Sequence, residues 1–165
     1  MNRVVAVAAA LVALAPFSVS ASEEECIQLA FIRPRAPQVI VTEARALMND
    51  VNAVRVQHGL APLAEDQRLS RFALQVAQQM AARHYFGHTD PNGVTFQDRV
   101  RAAGFARRYF AENMAFDQDE EHAHAAFVHS ADHYANIVSP HSRKIGAAVV
   151  AAGDGEVFFV EEFAD

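Results

Sequence analysis

The chain has 165 residues, 52% of them hydrophobic, and carries 14 Lys and Arg against 20 Asp and Glu, a formal net charge of −6. That length fits one domain behind an N-terminal segment. The acidic balance, with no basic stripe, argues against nucleic acid or an anionic membrane as a partner. Cys26 is the only cysteine, so no intramolecular disulfide can form and the fold must rest on its hydrophobic core.

Met1 to Ala21 reads as a secretory signal peptide. Arg3 gives a minimal positive start, Val4 to Ala15 is an apolar run too short to span a bilayer, and Val19-Ser20-Ala21 offers small residues for cleavage. The alternative, an uncleaved anchor, is weakened by Pro16 and Ser18. Cleavage would leave 13 Lys and Arg against 20 Asp and Glu, a net charge near −7. The expected localisation is therefore export, to the periplasm or the outside. No later segment is long enough to be transmembrane. Cys26 follows Glu23-Glu24-Glu25, which is not the small-apolar setting of a lipid-modified cysteine. It reads as a tail thiol, with an intermolecular disulfide as the alternative. Residues 22–40 form an irregular leader in which Pro34 and Pro37 block helix, and the domain proper is expected over residues 41–165.

From Thr42, a plausible N-cap, the period becomes helical: Ala44, Leu47, Met48, Val51 and Val54 recur at three- and four-residue spacing, and Gly59 ends the run. Leu60-Ala61-Pro62-Leu63 is a connector. A second helix is predicted from near Asp66 to about Arg83, with Leu69, Phe72, Val76 and Met80 as its stripe and Ala73 and Ala77 as points of close helix approach. His84 to Val94 is turn-rich around Asp90-Pro91-Asn92-Gly93. Thr95 and Asp98 match a capping box for a short helix that ends before Gly104. Asp117 to Val128 reads as a further helix with acids at its positive end. The period then changes. Ile145 to Ala151 and Glu156 to Phe163 are β-rich, and Gly153-Asp154-Gly155 joins them as a hairpin. The unbroken Phe158-Phe159-Val160 implies helices over both faces of that strand. Helices first and a hairpin last indicate an α+β sandwich.

Two histidines lie in polar, turn-rich sequence. His88 is either a metal ligand or acid/base group, or an exposed loop histidine. His133 would share a helical face with His129 if that stretch were one helix, although the zinc-protease pattern is absent because no Glu follows His129. His122 and His124 sit in an acidic helix and read as solvated. Glu112, between Phe110 and Phe116 in an apolar stretch, is either exposed by alternation or buried with a partner. A buried carboxylate there needs a cation or hydrogen-bond donors, and a metal ion or a protonated histidine would serve.

Taken together, several segments resemble the bacterial, short form of the CAP superfamily, the SCP domain of cysteine-rich secretory proteins, antigen 5 and pathogenesis-related 1 proteins. The segments are Asn52-Ala53-Val54-Arg55, Gly59 to Leu63, Tyr85-Phe86-Gly87-His88-Thr89, Ala111-Glu112-Asn113, Ser130-Ala131-Asp132-His133-Tyr134-Ala135-Asn136-Ile137 and Ile145-Gly146. The likeness runs from about Val41 to Phe163. It implies a three-layer α-β-α sandwich with a small antiparallel sheet. It also implies a ligand cleft in which His88 and His133 hold a divalent metal such as Zn2+ and Glu112 is the first cleft glutamate. The family's second glutamate, three residues after a tryptophan, falls on Ser130, with Phe127 at the tryptophan position. That departure puts a four-residue catalytic arrangement in doubt.

The function this implies is a secreted, non-enzymatic ligand-binding or interaction domain, with a small hydrophobic ligand, a cell-wall component or an extracytoplasmic protein as partner. The alternative is a metal-dependent hydrolase, peptidase or cell-wall acting, that uses His88, His133 and Glu112, with Glu112 as general base. A serine mechanism lacks its Gly-x-Ser-x-Gly elbow. A third reading is a partner-binding domain whose cleft is vestigial.

Overall fold

A computed structural model describes residues 36–165, apart from residues 107 and 154. The signal segment, Cys26 and most of the leader lie outside the described residues. The elements in chain order are β1 (Gln38–Val39), α1 (Val41–Gln57), β2 (Ala64–Glu65), α2 (Gln67–Arg83), α3 (Phe96–Ala102), β3 (Phe110–Asp117), α4 (Glu120–His129), α5 (Ala131–Ile137), β4 (Lys144–Ala151) and β5 (Val157–Ala164).

Local chemistry sets most helix ends. The Asp66 side chain accepts from the amides of Arg68 (2.8 Å) and Leu69 (3.3 Å) and so starts α2. His84, in the left-handed region at φ 48°, ends that helix and turns the chain into the loop that carries His88. Thr95 and Asp98 form the expected capping box at α3. Thr42 does not cap α1; it lies inside the first turn, and Ile40 is the cap residue. The reason is tertiary: the Ile40 amide donates to the Val149 carbonyl (2.9 Å), which pins the helix start to the sheet. The end of the stretch expected as an irregular leader thus contributes β1, which pairs with β4.

The sheet runs β1-β4-β5-β3, with β2 beside β4 on the same edge as β1. The β4–β5 and β5–β3 pairings are antiparallel, while the short β2 pairs in parallel. Period-two alternation divides the core. Ile145, Val149, Phe159 and Phe163 face Leu47 and Val51 of α1, Phe127 of α4 and Ile137 of α5. Ala148, Val150, Phe158, Val160 and Met114 face α2. Ala73 and Ala77 belong to this second cluster, so the close approach there includes the sheet. Both faces are covered, giving the three-layer α-β-α sandwich expected from Phe158 to Val160. Each fully buried phenylalanine contributes about 1.5–3 kcal/mol.

Two contacts lock the layers. A Cβ on Gly146 would lie 2.5 Å from Leu69 Cβ and nearer still to the backbone of Leu69 and Ser70, so only glycine lets α2 cross β4 there. On the other face, buried Arg55 donates to the carbonyls of Ala61 (2.9 Å), Ile137 (2.8 Å) and Ser139 (2.9 Å), tying the exit of α1 to the C-terminal end of α5.

Candidate functional site

β3 is an outer strand of the sheet, at the edge opposite β1 and β2. Its neighbours Glu112 and Asn113 point to opposite faces, as alternation requires. Glu112 holds His88 on one face, and Asn113 holds the backbone of His133 on the other.

On the α2–α3 side, the Glu112 carboxylate is 1% exposed. The Nη2 of Arg99 donates to both of its oxygens at 2.9 Å, and Nδ1 of His88 lies 2.8 Å from Oε1. Nη1 of Arg99 donates to the His88 carbonyl (2.8 Å). The cation that balances the buried carboxylate is therefore a guanidinium. A carboxylate only accepts, so His88 donates from Nδ1, and whenever the ring is neutral its lone pair is on Nε2. The His88 side chain is 53% exposed.

Behind Glu112, in register with it on β5, lies fully buried Glu162. Burial first, then the Glu112 charge and a hydrogen bond to it, push the Glu162 carboxyl well above the ordinary carboxylate range. Among the described residues no N–H or O–H donor meets either of its oxygens, which fits a protonated acid donating to Glu112.

On the other side, Asn113 is fully buried. Its Nδ2 donates to the His133 carbonyl (3.2 Å) and to Glu161 (3.0 Å), and its oxygen accepts from Asn136 (2.9 Å). This fixes α5, and His133 with it. The His133 ring is half-buried and meets Phe127 edge-on at 5.2 Å between centroids. Burial lowers its pKa, and the nearby charge of His88 lowers it further, with Asp132 opposing. The two predicted histidines are thus electrostatic neighbours across the β3 edge.

The other predicted positions differ. Ser130 has extended backbone (φ −91°, ψ 121°) and separates α4 from α5, so His129 and His133 do not share one helix. The Ser130 side chain makes no capping bond. His122 is exposed, as expected, and is paired with Asp119 (2.7 Å). His124 is half-buried rather than solvated, and burial lowers its pKa. Sequence reasoning missed Arg99, Glu161 and Glu162. For the acid pair a signal existed, since adjacent acids between Val160 and Phe163, in a strand covered on both faces, must both be buried. Arg99 has no comparable signal.

Among the described residues, no group of three or more His, Cys, Asp or Glu is placed to hold a metal. With Glu112 committed to Arg99 and His88, the donors left at His88 and His133 are two imidazole nitrogens, fewer than the three protein ligands of a catalytic zinc centre. In the loop that carries His88, Phe86 (51% exposed) lines a shallow cavity of about 180 Å³ with Phe116 (47%), Tyr85 and Phe158. A larger apolar groove, about 300 Å³, lies at the opposite edge of the sheet between Met48 and Leu74, away from the histidines.

Comparison with known proteins places this arrangement. Residues 48–163 match the family model for the CAP domain, the cysteine-rich secretory protein family. The chain is 30% identical over 119 residues to the uncharacterized protein YkwD of Bacillus subtilis, covering 72% of this chain and 46% of YkwD. It spans less than half the length of the curated relatives it matches. Its fold is shared with an outer surface protein of Borrelia burgdorferi (TM-score 0.71, 20% identity, 78% of this chain and 97% of that one). It is also shared with an extracellular SCP-domain protein of Bacillus anthracis (TM-score 0.67, 23% identity, 74% and 40%). The family match over most of the folded region makes the chain a member of the cysteine-rich secretory protein (CAP) family.

Proposed function

We propose that the protein is an exported binding protein whose cleft, walled by His88 and His133, captures a ligand without turning it over. The observation that carries this reading is the half-exposed His88 ring, whose Nδ1 is held by a buried carboxylate, with a second, partly desolvated imidazole, His133, close enough to feel its charge. Two neutral imidazoles favour a divalent cation such as Zn2+ or a hydrogen-bond-donating group. His88 and His133 would hold the ion, which would supply a Lewis-acidic contact for a ligand. Because Arg99 occupies both oxygens of Glu112, the carboxylate is better placed to orient His88 than to act as a general base, which favours binding over the hydrolase reading. Phe86 and Phe116 offer adjoining apolar surface for a small hydrophobic ligand or a partner side chain. Export is supported by the signal-like Met1 to Ala21 and by relatives described as extracellular or outer-surface proteins. Among the described residues no helix is long and apolar enough to cross a membrane.

The test is zinc titration calorimetry on chelator-treated protein beside His88→Ala and His133→Ala. One saturable site, lost in both variants, is expected. No saturable binding by the parent would remove the ion from the proposal, and binding unchanged in both variants would overturn the cleft.

A further inference from the structure

We infer that Arg99 is a positioning residue that determines which nitrogen His88 presents to the cleft, acting through Glu112. The inference rests on the cleft reading above and deepens it.

One guanidinium grips His88 at two points. Nη1 holds its backbone carbonyl (2.8 Å), and Nη2 holds both oxygens of the carboxylate that bonds its ring (2.9 Å each). Only a planar fork with several donors spans these acceptors, and a lysine ammonium has neither the reach nor the fixed geometry. The position of Arg99 is itself determined, because its amide donates to the Thr95 carbonyl (3.0 Å) directly after the capping box. Arg99 is buried and forms a charge-assisted pair with a carboxylate that is itself almost fully buried. While the guanidinium keeps Glu112 a pure acceptor, the neutral His88 proton stays on Nδ1 and the Nε2 lone pair faces the cleft. The cleft then selects electron-poor groups: a divalent cation, an ammonium or a hydroxyl donor. Without the Arg99 fork nothing ties the Glu112 oxygens to the His88 carbonyl, and Nδ1 loses its positioned acceptor.

The experiment is 15N-detected NMR of the histidine side chains in the whole chain, with zinc titration of the same samples. The parent should show His88 protonated on Nδ1. Arg99→Lys should give mixed tautomers at His88 and a zinc affinity lower by about 10- to 100-fold, the usual effect of losing an orienting partner. His122 should be unchanged, because its Nδ1 partner is Asp119. A purely structural role for Arg99 would leave the His88 tautomer of the folded protein unmoved. A folded Arg99→Lys protein with the parent tautomer overturns the inference. If that variant does not fold, the parent spectrum decides: a proton on Nδ1 supports the inference and a proton on Nε2 overturns it. A parent that binds no zinc but shows an Arg99-dependent Nδ1–H form would end the ion reading while leaving this one standing.

Discussion

Glu161 is fully buried, and one of its oxygens has no hydrogen-bond partner. Burial pushes its carboxyl up to about 8; the Asn113 hydrogen bond pulls it down, and the charges of Glu120 and Asp50 push it up again. The ordinary value is 4.5. Between these values the folded protein binds a proton that the unfolded chain has lost, so stability falls as pH rises through this window. At about 1.4 kcal/mol per unit the full effect is roughly 5 kcal/mol, an upper bound because water and side-chain relaxation reduce such penalties. Glu161→Gln keeps the shape and an acceptor for Asn113 but removes the titration. Urea unfolding should therefore give similar stabilities for parent and variant near pH 5. At pH 8 the variant should be more stable by about 2–4 kcal/mol, a fraction of that bound. The reasoning is refuted if the difference between the two proteins is independent of pH from 5 to 8.

Two further predictions concern the joints between layers. Gly146→Ala forces a methyl group into the backbone of α2 and should cost about 3 kcal/mol or more in urea unfolding; a cost under about 1 kcal/mol would show that α2 can shift freely. Arg55→Met keeps the apolar stem but strips the carbonyls of Ala61, Ile137 and Ser139 of their donor. A loss of about 3 kcal/mol is expected, with faster amide exchange in α5, and unchanged exchange there would dismiss the clamp.

Much of this architecture was legible because local chemistry and tertiary structure agree. Asp66 and the Thr95–Asp98 box start their helices for the same local reason in the sequence as in the fold, and the apolar Phe158 to Val160 does lie between two helical layers. Thr42 misled because a sheet hydrogen bond, not a side chain, starts α1. The His129–His133 spacing fails because Ser130 is extended, which no periodicity reveals. For Glu112 the sequence demanded a partner without naming it. The partner is Arg99, 13 residues earlier and on another element, one arginine among several with the same local character. The acids at 161 and 162 were hidden by the habit of reading charge as exposure, although the covered strand around them argued otherwise.

The most direct test of the cleft is whether His88 and His133 sense one another. Histidine ring NMR titrations of the parent and of His88→Ala measure this without any ligand. Burial lowers the His133 pKa first and the His88 charge second, so His88→Ala should shift the His133 midpoint upward while the midpoint of His122, whose charged neighbours are Asp119, Asp117 and Glu121, stays in place. A His133 midpoint that does not move when His88 is removed would mean that the two rings do not share a cleft.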